Sequence, residues 1–133
     1  MPITSKEMGY EVRLDADGTM RTEDDSTFAA PERWSAEHLL LASILRCTAK
    51  SLDYSARKKG VAGVTVSGSA KGLVRRREED GRFAVVRTEL ALDVTFDPKP
   101  GRAEEHDILT WAERGCFIGS SLTAKPIYHW NVS

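Results

Sequence analysis

The sequence predicts an α+β fold of one domain spanning residues 1–133, with the element order β-β-α-β-β-α-β and an antiparallel sheet packed on helices. Residues 31–59 are predicted to form one long, largely buried helix, with an apolar run over residues 39–45. Residues 8–14 and 83–96 alternate between apolar and polar side chains, as half-buried strands do. A chain of 133 residues suffices for one core and is too short for two ordinary domains.

The composition excludes several function classes as starting hypotheses. Charged residues make up 29% of the chain, but the formal net charge is −1, so no strong field favours nucleic acid or a membrane surface. No basic start precedes an apolar run, and no apolar stretch approaches the roughly 18 residues of a membrane span. We therefore expect a cytoplasmic protein. Two cysteines are too few for a secreted disulfide framework.

The N-terminal residues predict a β-hairpin. Residues 8–14 alternate, residues 15–18 have the Asp-Gly composition of a turn, and residues 19–27 form a short polar return strand. Residues 28–31 then form a loop, because the proline at its end cannot continue strand pairing and leads into the next element.

The central helix has marked ends. Ser35 can act as its N-cap, and Glu37 lies in the first turn, where the helix dipole favours a carboxylate. Residues 57–60, Arg-Lys-Lys-Gly, have the cations and the glycine of a helix C-terminus. Residues 39–45 are apolar on nearly every side and should be enclosed by protein. A helix of about 25 residues is roughly 37 Å long, so we expect a second subunit to supply part of this cover.

The second half of the chain predicts two strands, a helix and a last strand. The glycines in residues 63–70 imply that another backbone approaches this strand closely. Residues 75–81 form a charged, solvated turn. Residues 83–96 form the clearest strand, with a helix over 103–114 and a final strand over 125–132. The expected core face of the clearest strand is Ala84, Val86, Leu90, Leu92, Val94 and Phe96.

The two cysteines leave three possibilities open: a reactive pair, half of a metal site, or two buried apolar side chains. Neither Cys47 nor Cys116 has the CxxC spacing of a zinc site. His38, His106 and His129 are scattered without ligand periodicity, so no metal is expected. Hydrolase motifs and a glycine-rich phosphate loop are also absent from the sequence.

Two motifs resemble those of the OsmC/Ohr family of thiol-dependent hydroperoxide reductases. They are WSAEHLLLASILRC at 34–47 and ERGCFIGSSLTAKPI at 113–127. In that family a glutamate precedes the first cysteine by ten residues, as Glu37 precedes Cys47, and the second cysteine opens a segment that residues 116–122 match. The resemblance implies an OsmC-like fold, with antiparallel sheets around a long central helix in an intertwined homodimer.

The resemblance also implies a two-cysteine peroxidase that acts on organic hydroperoxides. Cys47, as a thiolate, would attack the outer peroxide oxygen, release an alcohol and become a sulfenic acid. Cys116 would then condense with it to a disulfide. Family members are typically reduced by dithiols, lipoyl groups in particular, so the resemblance implies neither a cofactor nor a metal.

Glu37 constrains where the active site is assembled. Ten residues of helix separate it from Cys47 by about 15 Å along the axis, which is too far for contact in one straight helix. If both belong to one site, Glu37 must come from the other subunit, in agreement with the dimer that the resemblance implies.

An arginine normally holds the thiolate in this family, and here its identity is open. The position of the Ohr-branch arginine, just before an Asp-Gly turn, is Ala16 in this chain. The OsmC branch takes its arginine from the loop before the helix, where Arg33 is the nearest candidate; Arg13 and Arg21 are further options. Arg46 projects about 100° around the helix from Cys47 and is expected to reach solvent.

The sequence also departs from the family pattern at Phe117, where proline is usual, as in a less characterised branch of the family. Two other interpretations stay open. A chain that lacks the arginine clamp could keep the scaffold and thiols as a small-molecule-binding or redox-sensing protein, or both thiols could be inert. Apolar residues could line a pocket for the tail of a hydroperoxide, or they could be ordinary core packing. They are Leu40, Ile44, Phe117, Ile118, Trp34 and Trp111.

Overall fold

The computed structural model describes residues 6–133, which divide into two compact units, the first ending at Ser35 and the second being Ala36–Ser133. No helix in this range is long and apolar enough to cross a membrane. The elements are, in chain order, β1 (Val12–Leu14), β2 (Met20–Thr22), β3 (Thr27–Phe28), α1 (Ala36–Lys58), β4 (Gly63–Arg76), β5 (Phe83–Asp97), α2 (Arg102–Arg114), α3 (Phe117–Ser121) and β6 (Ile127–Val132). The predicted α+β class is confirmed.

The first unit is a small antiparallel sheet in the order β1-β2-β3. The predicted hairpin is present, but the single return strand over residues 19–27 is wrong. The strand ends at Thr22, and the chain turns where Asp25 adopts a positive φ of 62°. Hydrogen bonds between Thr22 and Ser26 close this turn, so Phe28, expected in a loop, lies on a third strand that pairs back with β2. Aspartate tolerates this backbone conformation better than most residues.

Helix α1 has the ends that the sequence predicts. It begins directly after Ser35, with Glu37 in its first turn and Arg57 in its last, and Gly60 follows with a φ of +80°. The enclosure expected for residues 39–45 is only partly present in one chain. Ile44 is completely buried, while the other residues of this segment are half-exposed.

The second unit contains a three-stranded sheet in the order β4-β5-β6. Strands β4 and β5 form a long antiparallel ribbon, and the close backbone approach predicted from the glycines of β4 is confirmed. A Cβ on Gly63 would lie 2.8 Å from the carbonyl oxygen of Asp97, and one on Gly68 would collide with the carbonyl of Ala91.

The expectation of purely antiparallel sheets is wrong for the last strand. β6 pairs parallel with β5, with Leu90 opposite Tyr128 and Leu92 opposite Trp130. The chain reaches β6 from β5 through α2 and α3, and a helical crossover of this kind returns a strand in the same direction. The second sheet is therefore mixed, and α3 is an additional short helix that the sequence analysis did not identify.

The core of the second unit lies between α1, α2 and the sheet. Helix α1 is also hydrogen-bonded to α2, because Ser55 Oγ donates to the carbonyl of Ile108 at 2.8 Å and Ser51 Oγ donates to that of Ala112 at 2.7 Å. The predicted buried face of β5 is confirmed over its second half. The fully buried apolar residues of the cluster are Ile44, Leu52, Ala56, Val61, Leu90, Leu92, Val94, Phe96, Ile108 and Ala112.

Candidate functional site

The two cysteines meet where the middle of α1 passes the start of α3. Cys47 is half-buried on α1, whereas Cys116 is 0% exposed and forms the N-cap of α3. Their side chains lie directly beside each other. Thr48, the next residue after Cys47, donates a hydrogen bond from Oγ1 to the Cys116 sulfur at 3.6 Å. The fold therefore brings together the two thiols that the sequence analysis singled out.

A glycine allows this approach. Helix α2 ends at Arg114, and Gly115 follows it just before Cys116. A Cβ on Gly115 would lie 2.6 Å from Ser51 Oγ, so a side chain here would push the end of α2 away from α1. Ser51 is one turn after Cys47 on the same helix face, so the close approach at Gly115 lies next to the place where the two cysteines meet.

The surroundings of Cys47 oppose its ionisation within one chain. Burial raises the pKa of the Cys47 thiol, and the neighbouring Cys116 side chain raises it further. The backbone N–H groups of Ile118 and Phe117, in the first turn of α3, act in the opposite direction. The net pKa is raised, so a thiolate at Cys47 needs an additional positive charge.

The Cys116 sulfur has polar partners of its own. In addition to the Thr48 hydroxyl, the backbone N–H of Gly119 donates to it at 3.4 Å. Tyr128 on β6 also reaches this place, since a Cβ on Gly119 would lie 3.1 Å from its hydroxyl oxygen and 3.4 Å from the Cys116 sulfur. The sequence analysis missed Thr48, Gly119 and Tyr128. Only the position of Thr48 beside Cys47 was a signal in the sequence.

Glu37 does not join this group within one chain. It is exposed in the first turn of α1, ten residues before Cys47 on the same uninterrupted helix. The separation of about 15 Å along the axis that a straight helix imposes therefore applies. Its role in the site stays a prediction.

The candidate arginines lie in the first unit, and two of them already have carboxylate partners. Arg13 pairs with Asp25 at 2.6 Å, and Arg21 pairs with Asp15 at 2.6 Å. Arg33 is exposed in the turn before α1 and forms no ion pair with any residue between 6 and 133. Which arginine acts on Cys47 stays a prediction, although Arg33 is the candidate that no carboxylate of the described chain engages.

Arg46 and the apolar candidates have different surroundings. Arg46 is exposed, as predicted. Ile44 belongs to the core, and Leu40 and Ile118 pack against it. Trp111 and Phe117, by contrast, are 56% and 60% exposed. A cavity of about 880 Å³ in the second unit has neither cysteine in its lining, which consists of Arg75, Arg76, Arg77, Glu78, Glu79, Val85, Val86, Thr123 and Ala124.

In the part of the chain that the structure describes, the histidines and carboxylates form no metal-binding group with the thiols. From residue 6 to the C-terminus, no group of three or more His, Cys, Asp or Glu side chains could hold a metal ion. The chemistry available at the site is therefore that of two adjacent thiols with hydroxyl and backbone N–H donors around them.

Comparisons with known proteins give matches among solved structures only. No family model and no curated protein matches the sequence. An OsmC-like protein of unknown function from Vibrio cholerae superposes with a TM-score of 0.72 at 17% identity, covering 95% of this chain and 99% of that one. An organic hydroperoxide resistance protein from Elizabethkingia anophelis gives 0.66 at 15% identity, with 98% and 99% covered. Organic hydroperoxide resistance protein OhrB of Bacillus subtilis gives 0.56 at 14%, with 94% and 96% covered. At these identities the likeness establishes the fold.

Proposed function

Because the chain has the fold of the OsmC-like and Ohr proteins, we propose that it is a thiol-dependent peroxidase that reduces organic hydroperoxides to alcohols. The observation that carries this proposal is the pairing of half-buried Cys47 with fully buried Cys116 at the junction of α1 and α3. A more accessible thiol next to a less accessible one is the arrangement in which the first is oxidised and the second captures the product.

The first step is nucleophilic attack by Cys47. Its thiolate sulfur forms a bond to the outer oxygen of the hydroperoxide, the O–O bond breaks, and the alkoxide leaves and takes up a proton as the alcohol. Cys47 becomes a sulfenic acid. The backbone N–H groups of Ile118 and Phe117 face the Cys47 sulfur and favour the anion that this step requires.

The second step is resolution by Cys116. The Cys116 sulfur attacks the sulfur of the sulfenic acid, the S–S bond forms, the S–O bond breaks, and hydroxide leaves and becomes water. A dithiol reductant then reduces the disulfide by thiol–disulfide exchange and is itself oxidised to a disulfide. Without such a reductant, the protein would turn over once.

A homodimer completes the site in this proposal. Within one chain, residues 39–45 of α1 are mostly half-exposed, and Trp111 and Phe117 stand out from the surface near Cys116. A second subunit packed over these residues would enclose an apolar approach to Cys47, suited to the tail of an organic hydroperoxide. The second subunit would also bring its own Glu37 close to Cys47 of the first chain, which that chain's own Glu37 cannot reach. It would supply an arginine as well, with Arg33 as the leading candidate.

One observation favours a second candidate function. The raised pKa of Cys47 within the single chain is what a slowly reacting thiol would have, as in a redox-sensing or small-molecule-binding member of the fold. The two candidates differ in turnover, because a sensor is oxidised once while a peroxidase cycles.

A steady-state assay tests the proposal. Purified protein, cumene hydroperoxide and a dithiol such as dihydrolipoamide should give continuous loss of peroxide, with hydrogen peroxide consumed more slowly. Cys47→Ser should abolish turnover. An exposed tyrosine on the same helix, Tyr54, provides the matched control, since Tyr54→Phe should leave the rate unchanged. Equal rates for the wild type and Cys47→Ser would reject the peroxidase in favour of the sensor or binding protein.

A further inference from the structure

The Cys116 sulfur lies in a dry pocket that offers it hydrogen-bond donors from two directions. The side chain is 0% exposed. Thr48 Oγ1 on α1 donates to the sulfur at 3.6 Å, and the Gly119 N–H on α3 donates at 3.4 Å. A buried thiol is neutral by default, because burial disfavours the charged form. Donors aimed at its sulfur reduce the free energy needed to form the thiolate.

Tyr128 places a second hydroxyl, and a third possible donor, at the same point. Its oxygen is buried and makes no hydrogen bond of good geometry among residues 6–133, although the Thr48 hydroxyl and the Cys116 sulfur both lie close enough to affect its pKa. The Tyr128 hydroxyl and the Cys116 sulfur both border the space beside Gly119. A Cβ on Gly119 would lie 3.1 Å from the hydroxyl oxygen and 3.4 Å from the sulfur. A buried hydroxyl without a partner is costly, and a native structure that keeps one usually has a use for it in another state.

The tyrosine hydroxyl keeps the proton that it needs in order to donate. Burial raises the pKa of Tyr128 to about 12, so the hydroxyl keeps its proton throughout the neutral range. Two further titratable groups influence this place, Cys47 from α1 and Glu113 from α2, whose carboxylate accepts a hydrogen bond from Trp130 Nε1 at 2.8 Å.

We propose that Tyr128 is a positioning residue for Cys116, whose hydroxyl donates a hydrogen bond to the sulfur once that sulfur is a thiolate. With Thr48 and the Gly119 N–H it completes a set of three donors. In the resolving step, on which this inference rests, the Cys116 thiolate attacks the sulfur of the Cys47 sulfenic acid, hydroxide leaves, and Tyr128 keeps its own proton. The tyrosine thus governs how much thiolate is available for disulfide formation.

The thiolate can be titrated without any peroxide. In a Cys47→Ser background Cys116 is the remaining cysteine, and its thiolate is followed by ultraviolet absorbance, with the Cys47→Ser, Cys116→Ser double variant subtracted. Adding Tyr128→Phe removes one hydrogen bond and should move the midpoint up by about one pH unit, a tenfold loss of thiolate at a fixed pH. Adding Tyr54→Phe, a change at an exposed tyrosine of α1, should leave the midpoint where it was.

A second variant guards against a folding defect. Fluorotyrosine incorporated at position 128 keeps the ring and its packing, and its more acidic hydroxyl is a stronger donor, so the midpoint should move down. Midpoints that stay unchanged in both Tyr128→Phe and the fluorotyrosine protein would overturn the inference.

The kinetic consequence separates this inference from the proposed function. After one equivalent of cumene hydroperoxide, Tyr128→Phe should form the disulfide about threefold more slowly, because the tenfold loss of thiolate is partly offset by the higher nucleophilicity of a thiolate of higher pKa, while the oxidation of Cys47 keeps its rate. A wild type that peroxide does not oxidise, with the midpoint shift present, would contradict the proposed function and leave the hydrogen bond to Cys116 supported. A wild type that cycles normally, with no midpoint shift in Tyr128→Phe, would contradict the role of Tyr128 alone.

Discussion

Cys47 sits in a place that resists the charge its proposed chemistry requires. Burial raises the pKa of its thiol, the Cys116 side chain adds to the rise, and the two N–H groups at the start of α3 compensate only in part. For a thiol of raised pKa, the fraction of thiolate stays small at neutral pH and grows only as the pH rises towards that pKa. A cation close to the sulfur would lower the pKa of the Cys47 thiol and increase the fraction of thiolate at neutral pH.

The first prediction concerns that cation. Removing the positive charge in Arg33→Ala should move the alkylation profile of Cys47, measured in a Cys116→Ser background, to higher pH, because the effect of burial is then opposed only by the two N–H groups of α3. We expect about a tenfold slower reaction at neutral pH. The control is Arg46→Ala, an exposed arginine next to Cys47 in sequence, which should leave the profile unchanged. Coinciding profiles for Arg33→Ala and the wild type would assign the cation elsewhere, to Arg13 or Arg21.

The second prediction concerns the space at Gly119. An alanine there would place its Cβ 3.1 Å from the Tyr128 hydroxyl and 3.4 Å from the Cys116 sulfur. Overpacking of this kind costs about 1–3 kcal/mol, which urea unfolding should detect in Gly119→Ala. Gly9→Ala, at a position with nothing within 4 Å, should change little. Equal stabilities for the two variants would mean that the Tyr128 hydroxyl is not held at Gly119.

The residue scale also shows what a sequence can reveal of a site. The motifs around Cys47 and Cys116 were enough to select the two thiols, and the fold places them together. The donors around Cys116 were not found, because Thr48, Gly119 and Tyr128 come from three elements. Their relation exists only after α1, α3 and β6 have packed, and no spacing along the chain encodes it.

At the scale of elements, a clear pattern of apolar residues was enough to predict a helix or strand that buries one face. Alternation correctly predicted β5, and the apolar run with marked ends correctly predicted α1. The errors fall where an element is short or where direction is decided by pairing. β3 has two residues and α3 has five, which is too little for a period to be recognised. The parallel direction of β6 follows from the crossover that precedes it.

The third prediction tests the packing of α1 on the sheet. Leu52 is 0% exposed, so Leu52→Ala leaves a cavity and should lower the free energy of unfolding by about 2–5 kcal/mol. Leu73→Ala is the matched change on β4, where the side chain is 47% exposed, and it should cost well under half as much. Denaturant unfolding measures both. Similar losses for the two variants would contradict the burial of this helix face.

At the scale of the whole molecule, the proposed peroxidase is a homodimer. In that proposal a second copy covers the half-exposed part of α1 and the exposed Trp111 and Phe117. It also supplies the Glu37 that a single helix holds about 15 Å away from its own Cys47. The amino-acid composition alone does not predict a second subunit. That expectation rests on the length of α1 and on the positions of Glu37 and Cys47 along it.

The fourth prediction is complementation between two defective subunits. Glu37→Gln and Cys47→Ser homodimers should both be impaired, since each lacks one part of every site. A heterodimer of the two, purified through different tags, contains one complete site and should recover about half of the wild-type activity, because a two-fold dimer has two sites. If Glu37 acted within its own chain, the heterodimer would recover no such activity. A sedimentation measurement of the wild type should give the mass of two chains.

The most direct test of the central claim is the intact mass of the protein before and after one equivalent of cumene hydroperoxide. If Cys47 attacks and Cys116 resolves, the wild type loses two hydrogens, Cys116→Ser gains one oxygen, and Cys47→Ser is unchanged. An unchanged wild-type mass, with both thiols still free to react with an alkylating agent, would contradict the account. It would show that this fold holds the two cysteines side by side without peroxide chemistry.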